Sequence, residues 1–275
     1  MSKVEVLVAT MHQPKGDYSL LERLNIQSDA VVVNQCDRNA TYTLHFQKYN
    51  VLWIDSTERG LSRSRNLALR NLHAEIGVIC DEDELLSDGY PLMIENAYNT
   101  IPQAGFIAFN ITRFGWNEEE QPFSIPRKIS FFKTYSSVHI TFKRASIADA
   151  GIIFDTRFGA GSGMYACSED AIFCMDCHKA QIPMYTFPGC LCSVNCEQST
   201  WFEGYTDKYF FDVGAYLAHV FPYMKWILKW YYPWRCRKLT NLGIIRIIAA
   251  IHDGFEGYKR QCNFEEYGKY RHEKQ

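Results

Sequence analysis

Short apolar runs rich in β-branched residues alternate with segments of helical spacing in the first part of the chain, and this alternation restricts the fold more than any other feature. Four runs have the length of a buried strand: 4–9, 30–33, 51–54 and 76–80. Helices are predicted between them and after them, at 18–24, 61–72 and 91–99. Strands that alternate with helices indicate βαβ units, so we predict an α/β fold with a mixed, mostly parallel sheet flanked by helices.

The rest of the chain predicts two more strands, one more helix and a C-terminal extension. The strands are expected at 105–112 and 138–142, and the helix from about Ser168 to Ala180. Beyond it the sequence becomes aromatic and basic. We therefore expect an α/β domain over residues 1–200 and a helical extension over residues 201–275.

Composition excludes some classes of function. The chain has 29 basic and 31 acidic residues and a net charge of −2, which does not suit a general nucleic-acid binder. The N-terminal sequence MSKVEVLVATMHQ lacks the features of a signal peptide, and no apolar run reaches the length of a membrane span. We expect a cytoplasmic protein whose ten cysteines are reduced.

The strand at 76–80 ends in four consecutive acidic residues, in the stretch VICDEDELL. Alternate residues of an extended segment point the same way, so Asp81 and Asp83 can converge on one ligand. Carboxylate oxygens suit Mg²⁺ or Mn²⁺, and Mg²⁺ is commonly held by one or two carboxylates together with substrate phosphates. A solvated acidic loop is the alternative. In parallel sheets, however, ligands bind beyond the carboxyl ends of the strands.

Two other segments carry groups that can act on a ligand. The segment GLSRSRNLA (60–68) opens a helix, where Arg63, Arg65 and backbone N–H groups can face an anion, although a basic surface helix has the same pattern. Ser168 is a predicted N-cap, which places Glu169 and Asp170 in the first helical turn. Acids are favoured there by the helix dipole alone, but a carboxylate fixed at a helix start can also act as a general base.

These blocks, in this order, resemble glycosyltransferase family 2, whose members have the GT-A fold. GLSRSRNLAL (60–69) is similar to the family's Gly-x-Ser-x-Ala-Arg-Asn block, and VICDEDELL to the strand that delivers the DxD motif. ASIADAGIIFDTRF (145–158) resembles the segment with a Gly and a Phe-Asp, and SEDAIF (168–173) the Glu-Asp motif. The resemblance covers about residues 4–188 and implies a Rossmann-like GT-A fold.

The resemblance also implies roles. Asp83 would bind a divalent metal (Mn²⁺ or Mg²⁺) at the nucleotide diphosphate, and Asp81 would help to hold the metal or the sugar nucleotide. Asp170 would be the catalytic base, with Glu169 beside it. The remaining residues implied at the nucleotide pocket are Thr10, Asn34, Asp37, Arg63, Arg65 and Asn66.

The implied activity is the inverting transfer of a hexose from a nucleotide diphosphate sugar, a UDP-sugar in the first place. The expected acceptor is a growing glycan, and the aromatic and basic C-terminal section suggests a lipid-linked oligosaccharide for surface polysaccharide synthesis. Two family features are absent: Ala9-Thr10-Met11-His12 replaces Pro-x-Tyr-Asn, and Asn34-Gln35-Cys36-Asp37 replaces Asp-Asp-Gly-Ser. The nucleotide is therefore left open, and the sequence does not identify the sugar or the acceptor.

Two further patterns leave alternatives. Residues 213–252 contain no acidic residue and interleave basic with aromatic residues, which suits peripheral contact with the inner face of an anionic membrane or a helical pair packed on the domain. Cysteines and a histidine at 174, 177, 178, 190, 192 and 196 could form a structural zinc site, or the first two could be small apolar-face residues of the helix. A non-catalytic sugar-nucleotide- or membrane-binding module with such a zinc site is the alternative to an enzyme.

Overall fold

The chain forms two compact units. The structure, a computed structural model, describes residues 3–115, 121–195 and 204–272. One unit is Met1–Phe154 with Phe173–Ser199, and the other is Asp155–Ile172 with Thr200–Gln275. The predicted domain boundary at residue 200 lies outside the described residues, so it stays a prediction.

The first unit is built on one mixed sheet, which has ten strands within the described ranges. In chain order they are β1 (Val4–Met11), β2 (Asp29–Gln35), β3 (Ala40–Phe46), β4 (Tyr49–Ser56), β5 (Ile76–Asp81), β6 (Glu84–Leu86), β7 (Phe106–Phe114), β8 (Arg127–Lys128), β9 (Ile140–Lys143) and β10 (Met184–Asn195). Their order across the sheet is β3-β4-β2-β1-β5-β9-β7-β10-β6, and β8 pairs with β10. Strands β1, β2, β4, β5, β7 and β10 run in one direction, which confirms the mixed, mostly parallel sheet.

Helices cover both faces of this sheet. The first unit contains α1 (Leu20–Arg23), α2 (Leu61–Arg70), α3 (Tyr90–Thr100) and α4 (Arg144–Asp149). Successive residues of β1 enter opposite cores: Val6 and Val8 pack in one apolar cluster and Leu7 in the other. Because the central strands are buried on both faces, they read in the sequence as continuous apolar runs.

Helix α5 (Glu169–Lys179) confirms the helix predicted from Ser168, and the division between the units falls within it. The second unit also contains α6 (Asp207–Val220), α7 (Lys225–Cys236), α8 (Ile244–Arg260) and α9 (Phe264–His272), which confirms the helical extension. Two glycines allow α6 and α8 to touch: a Cβ at Gly214 would lie 2.2 Å from the Ile251 carbonyl oxygen, and one at Gly254 2.0 Å from that of Phe211.

The described residues were searched for a metal-binding cluster, such as the zinc site considered above, and for a membrane-spanning helix. In the described part of the chain, no group of three or more His, Cys, Asp or Glu side chains is arranged to hold a metal ion. Cys196, one of the cysteines considered for zinc, lies outside that part. Among the helices of residues 3–115, 121–195 and 204–272, none has both the length and the apolar character that a membrane span requires.

Candidate active site

The parallel strands β4, β2, β1 and β5 are neighbours, and their carboxyl ends meet at one edge of the sheet. Thr10 of β1 lies opposite Asn34 of β2, and Asn34 lies opposite Asp55 of β4. On the other side of β1, Ala9 lies opposite Asp81 of β5. This is the edge at which α/β sheets bind ligands. Several of the sequence-predicted residues are therefore neighbours along it.

Asp81 ends β5 and is held from two sides. The guanidinium of Arg65 donates from one nitrogen to both Asp81 oxygens at 2.9 Å, and the Ser137 hydroxyl donates to Oδ2 at 3.0 Å. Arg65 is buried, and its guanidinium lies 5.4 Å from the centroid of the Phe154 ring. A buried cation needs a counter-charge, and Asp81 supplies it. Most of the charge of Asp81 is thus balanced inside the protein.

Asp83 is in the opposite situation. It is exposed in the turn between β5 and β6, and no cation pairs with it within the described residues. Loss of hydration, followed by the negative charges of Asp81 and Glu82, raises its pKa. A carboxylate under repulsion from other carboxylates is stabilised by a cation that arrives with a ligand.

Glu84 explains part of the acidic run as structure. It is buried, and its Oε1 accepts a hydrogen bond from the Asp81 N–H at 2.7 Å. Burial, and then the charge of Asp81, raises its pKa well above the usual range. The Glu84 side chain therefore closes the turn that carries Asp81 and Asp83 through a hydrogen bond to its backbone.

Glu82 joins the end of β5 to the end of β1. Its Oε2 accepts hydrogen bonds from the Thr10 hydroxyl and, at 3.2 Å, from the Met11 N–H. The Gln13 side chain donates to the Thr10 hydroxyl at 2.8 Å. Thr10 is buried, so its predicted contact with a nucleotide stays a prediction, whereas its contact with Glu82 is a feature of the fold.

The segment that opens α2 is held in place by tertiary contacts. Gly60 has a φ of +115°, a conformation that favours glycine, and its N–H donates to the Gln35 side chain at 2.7 Å. Asn66 is buried; its amide donates to the Phe154 carbonyl and accepts from the Phe154 N–H, both at 2.8 Å. Arg65 and Asn66 thus connect α2 to β5 and to Phe154, and their predicted role in nucleotide binding is untested by these contacts.

Asn34 and Asp55 form a buried polar cluster at the ends of β2 and β4. The Asn34 amide donates to the Gln13 carbonyl at 3.1 Å and to Asp55 Oδ1 at 2.7 Å, and it accepts from the Gln13 N–H at 3.0 Å. Asp55 also accepts from the Trp53 indole and pairs with Arg38. Asn34 therefore fixes the chain after β1 by contacts within the protein.

Asp37 and Arg63 lie near this edge without joining the buried cluster. The Asp37 side chain is 96% exposed and pairs with Arg59 at 2.8 Å. Arg63 is partly buried and donates to the Arg59 carbonyl at 3.2 Å. Both are accessible to a ligand, and their predicted binding roles stay predictions.

Glu169 and Asp170 are the first two residues of α5, as predicted. Glu169 is buried and Asp170 partly buried, and the preceding Ser168 has a φ of +80°. The carbonyl of Ser168 accepts the Ile172 N–H at 3.0 Å, which closes the first helical turn. A carboxylate in this position is stabilised by the helix dipole.

Sequence reasoning missed Asp55, Ser137 and the contacts of Glu82. The signal for Asp55 is present in the sequence, because Asp55 directly follows the apolar run 51–54 as Asp81 follows the run 76–80. Ser137 lies in a short 3₁₀ turn (Ser137–His139) and carries no local signal. It reaches Asp81 only because β9 pairs with β5.

The comparisons with known proteins bear on the fold. No family model and no curated protein matches the chain. The crystal structure of residues 1–349 of S. aureus TarS with UDP-GlcNAc matches 96% of this chain and 77% of that chain, with 14% identity and a TM-score of 0.58. The same fragment with UDP matches 97% of this chain and 77% of that chain, with 15% identity and a TM-score of 0.54. A larger TarS structure matches 96% of this chain and 44% of that chain, with 15% identity and a TM-score of 0.55. These likenesses confirm the GT-A-like α/β fold.

The donor set at the end of β5 fits a hard divalent cation. It offers carboxylate oxygens on an exposed turn, and Asp81 and Asp83 are too few to enclose an ion without oxygens from a ligand. Mg²⁺ sites of nucleotide enzymes have this composition. Because Arg65 already balances Asp81, Asp83 is the carboxylate best suited to the ion.

Proposed function

We propose that the protein is a metal-dependent inverting glycosyltransferase that moves a hexose from a UDP-sugar to a glycan or a lipid-linked oligosaccharide in surface polysaccharide synthesis. The single observation that carries the proposal is the uncompensated Asp83 at the carboxyl edge of the sheet. Support comes from the fold, since the similar TarS structures were crystallised with UDP and UDP-GlcNAc. The reaction would take place in the cytoplasm, at the inner face of the membrane for a lipid-linked acceptor.

In this proposal the residues of the β5 turn prepare a site for a diphosphate. Asp83 would hold the cation, which when bound would stabilise negative charge on the leaving diphosphate. Arg65 and Ser137 fix the carboxylate of Asp81. Glu84 fixes its backbone. A turn supported in this way loses little freedom when the ligand binds, which favours binding.

Asp170 is proposed as the general base, and Glu169 as its neighbour that orients the acceptor or the donor. This assignment rests on the resemblance of SEDAIF to the family's Glu-Asp motif and on the position of both residues at the start of α5. The base would take the proton of the acceptor hydroxyl as its oxygen attacks the anomeric carbon and the diphosphate leaves. One such displacement inverts the anomeric configuration.

Calorimetry and a transfer assay test the proposal together. UDP should bind more tightly with Mn²⁺ than without it, and a panel of UDP-sugars should identify a donor. The variant Asp170→Asn should lower transfer by roughly 10²–10⁴-fold and leave UDP affinity within about twofold. Asp176→Asn is the matched control, because it changes a partly buried acid of the same helix outside its first turn.

Three outcomes would contradict the proposal. UDP affinity that does not depend on Mn²⁺ would show that UDP binding needs no metal. Equal transfer by wild type and Asp170→Asn would show that Asp170 is not the base. Tight UDP-sugar binding without turnover on any acceptor would instead support a non-catalytic binding module.

A further inference from the structure

Helix α7 of the second unit has two different faces. Its inner face carries Leu228, Tyr232 and Cys236, which pack with the apolar core between α6 and α8. Its outer face carries large apolar side chains of which more than half of the surface is exposed: Tyr223 just before the helix, then Ile227, Trp230, Tyr231 and Trp234. The steps of four, three and four residues from 223 to 234 place these side chains in one stripe.

Such a stripe is unusual for a surface in water. Single exposed apolar residues are common, but contiguous aromatic patches mark sites of contact with another surface. The chain after α7 continues the pattern, since Ile245, in the first turn of α8, is 84% exposed. The outer face of α7 is therefore a contact surface, and its chemistry identifies the partner.

Basic side chains flank the stripe. Arg235, Arg237 and Lys238 are exposed next to Trp234, and the Arg237 guanidinium lies 4.3 Å from the centroid of the Trp234 ring. Residues 213–252 contain no acidic residue. Tryptophan and tyrosine favour the boundary between lipid headgroups and acyl chains, and nearby cations favour anionic headgroups.

We propose that α7 lies flat on an anionic lipid bilayer, with Ile227, Trp230 and Trp234 inserted at the headgroup boundary and Arg235, Arg237 and Lys238 at the phosphates. The helix has 12 residues, too few to span a bilayer. A second copy of the chain is a poorer partner for this face, because the cations of one copy would meet those of the other with no acid in the segment to pair with them. The inference concerns a surface and does not depend on glycosyl transfer.

The docking would give a transferase with a lipid-linked acceptor a physical advantage, and this step rests on the proposed function. An enzyme held at the bilayer searches for its acceptor in two dimensions, and the effective concentration of the acceptor rises. A single amphipathic contact is reversible, so the enzyme would exchange between membrane and solution.

Vesicle flotation of the full chain tests the inference. Wild type should float with phosphatidylcholine vesicles that contain about 30% phosphatidylglycerol and bind pure phosphatidylcholine much more weakly. The double variant Trp230→Ser/Trp234→Ser should lower the partition coefficient by at least ~100-fold. The matched control is Leu92→Ser/Phe132→Ser, which removes two equally exposed apolar side chains from the first unit and should bind as wild type does.

Charge is tested separately. Arg235→Gln/Arg237→Gln should weaken binding to the anionic vesicles by about 30-fold, whereas Lys15→Gln/Lys48→Gln, two exposed lysines of the first unit, should not. UDP binding with Mn²⁺ is measured for every variant. If it is retained while flotation is lost, the effect belongs to the surface and not to folding or to the proposed active site.

Two results would overturn the inference. Flotation that is equal for wild type and both α7 variants would show that the stripe does not bind lipid. A dimer in sedimentation velocity without lipid, dissociated by Trp230→Ser/Trp234→Ser, would show that a second copy covers it.

Discussion

The ends of β4 and β5 belong to the same edge of the sheet, yet their aspartates are in opposite electrostatic states. Asp55, at the end of β4, is buried and accepts from Asn34 and Trp53 at 2.7 and 3.0 Å while Arg38 pairs with its other oxygen. Burial raises the pKa of Asp55, but the hydrogen bonds from these three donors outweigh it and leave the pKa lowered. The pKa of Asp83, after β5, is raised.

The comparison separates two uses of an acid at a strand end. Asp55 is balanced by the protein, so its charge stabilises the fold. Asp83 is opposed by Asp81 and Glu82, so a cation at this position would relieve the repulsion. Both acids lie at the carboxyl edge of the sheet, but they differ in burial and in their partners.

Replacing Asp83 by Asn should have the largest effect on activity. The change removes the negative charge of the proposed metal ligand, so metal-dependent transfer should fall on the order of 10²–10³-fold and the gain in UDP affinity from Mn²⁺ should disappear. Stability without metal should not fall, because a repulsive charge is lost. Calorimetry and urea unfolding measure these quantities. A loss of stability with unchanged dependence on Mn²⁺ would show that Asp83, like Asp55, stabilises the fold.

Replacing Asp55 by Asn is the same chemical change at the balanced site, and the outcome should be reversed. The new amide would face the Arg38 guanidinium, and a partly buried ion pair would lose one partner. The free energy of unfolding should fall by about 2 kcal/mol, because charged hydrogen bonds to a buried oxygen are lost. In the folded protein, the dependence of UDP binding on Mn²⁺ should persist. If Asp55→Asn instead left stability unchanged and abolished the dependence of UDP binding on Mn²⁺, Asp55 would be the metal ligand.

The sequence predicts where these acids lie, but it does not predict which groups pair with them. Asp81 and Asp83 could be placed at a strand end because β5 reads as a continuous apolar run. Whether such an acid is balanced depends on groups far away in sequence, such as Arg38 for Asp55 and Ser137 for Asp81. No local pattern contains this information.

Strands that form continuous apolar runs could be predicted from the sequence, and the other strands could not. Strands β1, β2, β4 and β5 are buried on both faces, so their apolar runs are plain. Strand β3 was missed because it is an edge strand of alternating burial, in which Thr41, Thr43 and His45 are exposed. Strand β10 is not evident in the sequence because Pro188 and Gly189 interrupt it, and its register with β7 shifts there.

Asp212 of α6 extends the comparison to a buried acid with one hydrogen-bonded oxygen. Its Oδ2 accepts the Ala166 N–H at 2.9 Å, and Oδ1 has no hydrogen-bond partner among the described residues. Burial raises the pKa of Asp212 to about 6. The unfolded value is about 3.9, so the folded state holds a proton that the unfolded state loses between these values. This group therefore lowers stability as pH rises from about 4 to about 6.

Asp212→Asn should remove that pH dependence. Relative to wild type, the variant should gain about 2–3 kcal/mol of unfolding free energy between pH 4 and pH 7. Urea unfolding of both proteins at several pH values measures the gain, and Asp207→Asn, at an exposed ion pair of the same helix, is the control. An equal pH dependence in wild type and Asp212→Asn would show that Asp212 is ionised like an ordinary surface acid.

Asp37 is the fourth acid of the comparison. It is paired with Arg59 but exposed, and its replacement should change stability least. Its ion pair with Arg59 lies in water, where Coulomb attraction is weak and the ordering of two side chains opposes it. Asp37→Ala should therefore change the unfolding free energy by no more than about 0.5 kcal/mol. UDP affinity is the sharper measurement, because Asp37 is also a predicted nucleotide contact. A several-fold loss of UDP affinity with unchanged stability would place Asp37 with Asp83, among acids kept for a ligand, whereas unchanged affinity would place it with neither Asp83 nor Asp55.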